Sequence, residues 1–279
     1  MTLLYKCCVC REENTMDLQQ IKLYLFDMDG TLYLGKRLFD FTKELLETIR
    51  EQGGQYLFVT NNSSKSVLDY VKKLDKMGIS ATEEDFLTSS QATAWYLKKH
   101  YAGLALYVCG TASLKQELAS QGFAITEDID QTQCIVMGFD TELNFKKLED
   151  VSKLLCTRDL PYVATNPDYV CPTEFGSVPD CGSVCDMLYN VSGKRPQVVG
   201  KPQPYMAQLA MEKCGVSPDE TVVIGDRIYT DIKSGLNAGC QTILVLSGET
   251  TVEILEKSVD KPHLVLSDAG RLLNILKGN

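Results

Sequence analysis

The sequence predicts an α/β protein, built from parallel sheets covered by helices. Two observations carry this. Short apolar runs alternate with amphipathic helical segments along most of the 279 residues. Acidic, amide and hydroxyl residues recur just after those runs, where open α/β sheets bind ligands.

The elements follow in order. A strand over 22–26 (KLYLF) ends at Asp27. Phe41, Leu45 and Ile49 have helical spacing, so a helix is expected over 41–51, stopped by Gly53-Gly54. A second strand, 56–60 (YLFVT), leads to a helix over 64–77 with Val67, Val71 and Leu74 on one face and Gly78 at its end. A helix over 91–99 closes this part. The rhythm then repeats, with strands over 104–109, 133–137 and 161–165 and helices over 113–120 and 145–156. A turn-rich loop over 166–181 precedes a helix over 183–191. Strands are expected again over 197–199, 221–225, 242–246 and 263–266, and helices begin near Gln203, Tyr229, Thr251 and Ala269.

Composition narrows the function. Twenty-eight basic residues against 37 acidic ones give a formal net charge of -9, so no basic field exists to hold a nucleic acid. A bound phosphate would have to be held locally, by a metal, backbone N–H groups or one placed lysine. No run approaches the ~18 apolar residues of a spanning helix, and the first ten residues lack a signal-peptide core, so a cytoplasmic protein without a membrane partner is expected. Eleven cysteines, among them Cys109, Cys134, Cys156 and Cys240 within apolar runs, read as buried reduced thiols. Cys7, Cys8 and Cys10 lack the second ligand pair a structural zinc needs, and His100 and His263 are the only histidines. Residues 1–20 are expected to be a poorly ordered extension.

Four strand ends carry the candidate chemistry. Asp27-Met28-Asp29-Gly30-Thr31 places two carboxylates two residues apart, on one face of extended backbone. Close carboxylates repel unless a cation separates them, and otherwise one carries a proton. Thr60-Asn61-Asn62-Ser63-Ser64 precedes a helix, which suits an anion or simple N-capping. Gly200-Lys201-Pro202 puts a lysine at a third strand end, without a P-loop. Gly225-Asp226-Arg227 closes a fourth, with Asp231 five residues on. Carboxylate oxygens of this kind suit Mg²⁺.

These residues resemble the haloacid dehalogenase-like (HAD) superfamily, specifically its phosphatases: DMDGT at 27–31, Thr60, Lys201 in GKP and GDR-x₃-D at 226–231 stand in the order of its four motifs. From Asp27 to Thr60 is 33 positions, and from Thr60 to Lys201 is 141. The second gap far exceeds one helix. It resembles the class IIA branch of NagD and p-nitrophenyl phosphatases, which insert a cap between the second and third motifs. TNN at 60–62, ATNPD at 164–168, GSV at 182–184 and VVGKP at 198–202 strengthen the likeness. The resemblance implies a Rossmann-like doubly wound parallel sheet core over 21–102 and 196–279, with an inserted α/β cap over 103–195.

It also implies roles. Asp27 would attack phosphorus, and Asp29 would act as general acid and then base. Mg²⁺ would be held by the Asp27 and Asp226 carboxylates and the Asp29 carbonyl. Lys201, with Thr60, Asn61 and Asn62, would hold the phosphoryl oxygens, and Asp231 would orient Lys201 or a metal-bound water. The substrate would be a small phosphorylated metabolite: a sugar phosphate, a nucleotide or p-nitrophenyl phosphate. Pairing of two copies through the cap is a further expectation. The loop over 166–182, with Tyr169, Cys171, Pro172, Glu174 and Phe175, would read the leaving group; pyridoxal phosphatases carry His where Cys171 stands, which counts against pyridoxal phosphate. A phosphoryl-transferring mutase, or a binding module that has lost the chemistry, are the alternatives. The presence of Asp29, Asp226 and Lys201 speaks against the second.

Overall fold

The computed structural model describes residues 16–173 and 175–278. The described residues divide into two compact units, one made of those up to 56 and from 214 onward and the other of those between 57 and 213. Parallel strands covered by helices build both, as expected of an α/β protein.

In the first unit, strands Leu23–Phe26, Thr221–Gly225, Gln241–Val245 and Leu264–Leu266 pair in parallel, in the spatial order 264–266, 241–245, 221–225, 23–26. Every residue of Leu23–Phe26 and Thr221–Gly225 is buried, which explains their unbroken apolar character. Helix Thr42–Glu51 turns Leu45, Leu46 and Ile49 inward and packs against helix Ala269–Leu276. Tyr33–Leu34 and Arg37–Leu38 form a small antiparallel hairpin around Gly35, whose φ of +62° favours glycine. Two-residue strands carry no periodicity, so the sequence gives no sign of this hairpin.

In the second unit, strands Leu106–Cys109, Cys134–Met137, Tyr162–Ala164 and Gln197–Val198 lie side by side in parallel. Helices Phe145–Thr157 and Cys181–Ser192 pack over a core that includes Ile135, Met137, Val151, Leu154 and Leu188. The last residues of strand Gln55–Thr60 pair with Phe86–Thr88, in register Thr60↔Thr88. Helix Val67–Lys76 begins later than expected because Ser66, not Ser64, caps it in a reciprocal box with Asp69. The expected loop over 166–181 contains an antiparallel hairpin, Val170–Thr173 with Gly176–Pro179. Its Pro172, Gly176 and Pro179 are residue types that signal turns in a sequence.

Cys109, Cys134 and Cys240 are buried free thiols, but Cys156 is exposed, contrary to its apolar surroundings in sequence. Asp17 caps a short 3-10 turn, Leu18–Gln20. The zinc question at Cys7, Cys8 and Cys10 lies outside the described residues, as does Glu174. Among the described residues, no helix is long and apolar enough to cross a membrane.

Candidate active site

The first unit gathers the acids. Strands Leu23–Phe26 and Thr221–Gly225 are paired up to Phe26↔Ile224, and the Asp27 N–H donates to the Ile224 carbonyl (2.8 Å). Asp27 and Asp226 therefore leave neighbouring strands at the same end. The π-helical turn Ile228–Ile232 brings Asp231 back toward them. Its carboxylate accepts from the Arg227 N–H (3.1 Å). Asp27, Asp226 and Asp231 each offer a carboxylate oxygen within 4.8 Å of the others.

Asp226 is the electrostatic centre of this group. One oxygen, Oδ2, accepts from the Glu249 N–H (2.7 Å), while Oδ1 is buried without a hydrogen-bond partner. Burial, then the charges of Asp27 and Asp231, push its carboxyl up to about 7. A buried anionic oxygen with no donor, beside two further carboxylates, is what a hard divalent cation would satisfy. The residues thus fit such an ion.

Glycines make the close approach possible. A Cβ on Gly30 would lie 2.6 Å from Asp226 Oδ2, and one on Gly225 would lie 2.4 Å from Asp231 Cβ. Gly30 also needs its φ of +86°, which turns the chain after Asp29. Asp29 is exposed; its carboxylate accepts from the Gly35 N–H (3.2 Å) and stands outside the three-acid group.

Sequence reasoning misses the segment Ser247–Thr250. The Ser247 hydroxyl donates to the Gly30 carbonyl (2.6 Å), and the Thr250 N–H donates to the Asp226 carbonyl (3.2 Å). The Thr250 hydroxyl accepts from the Ile228 N–H (3.2 Å), and Arg227 pairs with Glu249 (2.8 Å). Its only signal is position: Ser-Gly-Glu-Thr follows another parallel strand, Gln241–Val245.

The second unit gathers the anion-binding candidates. The Thr60 hydroxyl accepts from the Asn62 N–H (3.2 Å), and Asn62 Oδ1 accepts from the Ser64 N–H (2.9 Å) and hydroxyl (2.8 Å). Asn61 and Lys201 meet directly: Asn61 Oδ1 accepts from the Lys201 N–H (2.8 Å), and Asn61 Nδ2 donates to the Lys201 carbonyl (2.9 Å). Lys201 is 4% exposed, and its Nζ donates to the Val59 carbonyl (3.2 Å). Cys171 is half-buried, on the hairpin opposite Val178.

Comparison with known proteins agrees with this reading. Residues 24–124 match the haloacid dehalogenase-like hydrolase family, and residues 198–272 match a HAD-hydrolase-like family. An acid sugar phosphatase of Staphylococcus aureus is 33% identical over 251 residues, 90% of this chain and 96% of that protein. The crystal structure of a 4-nitrophenylphosphatase from Thermotoga maritima is 38% identical, with a TM-score of 0.87 over 92% of this chain and 98% of that one. A glycerol phosphate phosphatase from Mycobacterium tuberculosis, solved in complex with calcium, is 28% identical, with a TM-score of 0.84 over 91% of this chain and 75% of that one. The chain belongs to the haloacid dehalogenase-like hydrolases and, within them, to the class IIA phosphatases.

Proposed function

We propose that the chain is a Mg²⁺-dependent phosphatase of small phosphomonoesters, sugar phosphates foremost, working through an aspartyl-phosphate on Asp27. The observation that carries this is the buried Asp226 Oδ1, without a donor and grouped with the carboxylates of Asp27 and Asp231. In this reading Asp27, Asp226 and Asp231, with the Asp29 carbonyl, would hold the cation. Bound there, Mg²⁺ would offset the repulsion between carboxylates and phosphate. Asp27 attacks phosphorus and the substrate's ester oxygen leaves. Asp29 protonates that oxygen and then takes a proton from the water that hydrolyses the intermediate. Its carboxylate is exposed and accepts from one backbone donor, the Gly35 N–H. Lys201 and Thr60 hold phosphoryl oxygens. Residues 103–195 act as the cap, and its 166–182 segment reads the leaving group. The relatives named acid sugar phosphatase and glycerol phosphate phosphatase support small sugar and polyol esters as substrates, and the one named 4-nitrophenylphosphatase supports p-nitrophenyl phosphate as a test substrate.

The test is phosphate release from a panel of phosphorylated metabolites, with Mg²⁺ and with a chelator. Release from one or more sugar phosphates that stops on chelation is expected. Equal release with chelator would overturn the metal-dependent reading.

A further inference from the structure

The side chain of Asn61 is committed elsewhere than to a substrate. Its Oδ1 accepts from the Lys201 N–H (2.8 Å), and its Nδ2 donates both to the Lys201 carbonyl (2.9 Å) and to the Asp168 carboxylate (3.1 and 3.3 Å). Two parallel bonds to one residue's backbone act as a strand-like clamp, and they fix Lys201 in both position and rotation about the chain. The third bond braces the same orientation, because only Nδ2 can serve a carboxylate. The Asn61 carbonyl is held as well, accepting from the Ser89 hydroxyl (2.5 Å) and Asn166 Nδ2 (3.0 Å). The packing is tight enough to exclude any side chain at position 200: a Cβ there would lie 2.7 Å from Asn61 Oδ1 and 2.4 Å from the Thr165 carbonyl.

Asp168 is built into the base of the hairpin. Its N–H donates to Asn166 Oδ1 (3.0 Å), and its carbonyl accepts from the Gly182 N–H (2.8 Å). A Cβ on Gly182 would lie 2.2 Å from the Pro167 carbonyl, so this junction is also close-packed. Position 168 therefore lies between the hairpin Val170–Pro179 and the clamp on Lys201.

We propose that Asn61 and Asp168 are positioning residues for Lys201: Asp168 braces the Asn61 amide from behind, and the amide sets the backbone of the lysine. This rests on the phosphatase reading and gives the Asn61 side chain a role of its own, toward Lys201. A charge-assisted bond in a partly buried site is among the stronger polar contacts, so its loss should be felt at the lysine.

The experiment is a rescue series on the full chain with p-nitrophenyl phosphate and Mg²⁺, reading kcat and KM separately, with inorganic phosphate as a competitive probe. Release by the wild-type protein must come first; its absence would overturn the phosphatase reading and leave the clamp to be judged from structure alone by thermal unfolding. Asn61→Asp puts two carboxylates against each other and should lower kcat about 10²-fold, the scale of a misplaced site. Asp168→Asn is the milder change and should lower kcat about 10-fold with less effect on KM. Combining the two restores a donor opposite an acceptor at position 168, with reversed polarity, but not the bond to the Lys201 carbonyl, so kcat should recover in part, by about 10-fold over Asn61→Asp alone, with partial recovery of the thermal midpoint. A direct phosphate contact gives a different pattern: Asn61→Asp weakens phosphate inhibition, Asp168→Asn behaves as wild type, and the double variant is no better than Asn61→Asp. That pattern would overturn the proposal.

Discussion

Gly248 and Asp226 approach so closely that a Cβ on the glycine would lie 2.0 Å from Oδ2 of the acid. The same oxygen already accepts from the Glu249 N–H, so it cannot swing away without losing that bond. Gly248→Ala should therefore displace Asp226 or the segment that holds it. The expected result is weaker binding of Mg²⁺ by calorimetry and lower phosphate release, with a folded chain by circular dichroism. Wild-type Mg²⁺ affinity in the variant would show that the segment does not shape the acidic group.

Asp27 is expected to trade stability for chemistry. Asp27→Asn removes the anionic oxygen that would attack phosphorus, and turnover should fall to background. It also removes one of three crowded carboxylates. Without added cation, the variant should melt higher than wild type, on the scale of about 2–4 °C per kcal/mol for a chain of this size. Retained phosphate release would remove Asp27 from the nucleophile role. An unchanged melting midpoint would mean that the three charges are not in conflict.

The two strands bearing Asp27 and Asp226 are tied at their opposite ends by Lys22 and Glu220, which pair through side chains while the Lys22 N–H donates to the Glu220 carbonyl (2.8 Å). The Lys22 ammonium, then the N–H and hydroxyl of Ser217, push the Glu220 carboxyl down to about 2 from its ordinary 4.5. A depressed folded-state value stabilises the fold above 4.5, and that contribution is lost as pH falls toward 2. Glu220→Gln should thus be less stable than wild type near neutrality, with the gap closing across that acid window. Because the pair is exposed, the gap should be small and should shrink further in high salt. A gap that stays constant from neutral to acid pH would exclude this linkage.

Legibility in the sequence follows the range of the forces involved. Thr221–Gly225 and Leu23–Phe26 are readable because a strand buried on both faces must be apolar at every position. Asp27 and Asp226 are readable because a lone acid after such a run has few structural reasons to be there. The hairpin Val170–Pro179 is not, since two prolines and a glycine interrupt it and its residues are mostly exposed. The side-chain role of Asn61 is hidden for a different reason. Locally it looks like a donor before a helix, but its partners Asp168 and Lys201 lie 107 and 140 positions away. Ser247–Thr250 looks like an ordinary turn, because its bonds to Gly30 and Asp226 are also long-range.

Asp29 should matter in proportion to the leaving group's need for a proton. Asp29→Asn is expected to slow hydrolysis of an alkyl or sugar phosphate by about 10²–10⁴-fold, and that of p-nitrophenyl phosphate much less. The check is the ratio of kcat/KM for the two substrates in wild type and variant. A ratio that does not move would place the proton donor elsewhere.

The hairpin offers the last test, because it carries exposed apolar groups on a well-anchored base. Phe175 at its turn is 81% exposed, and Tyr169 beside its base is 57% exposed. Tyr169 is fastened nonetheless: its carbonyl accepts from the Asp180 N–H (2.9 Å) and the Ser183 hydroxyl (2.6 Å). A rigid base with an apolar tip suits selection among leaving groups rather than chemistry on phosphorus. Phe175→Ala and Cys171→His should therefore reorder kcat/KM across a panel of sugar, polyol and nucleoside phosphates. In an apolar pocket, a difference of one methylene between substrates is worth about 10–200-fold, which sets the scale of the reordering. Dependence on Mg²⁺ should be unchanged in both variants, since the acids lie on other strands. If every substrate slows by the same factor, the hairpin does not read the leaving group, and specificity belongs to another part of the chain.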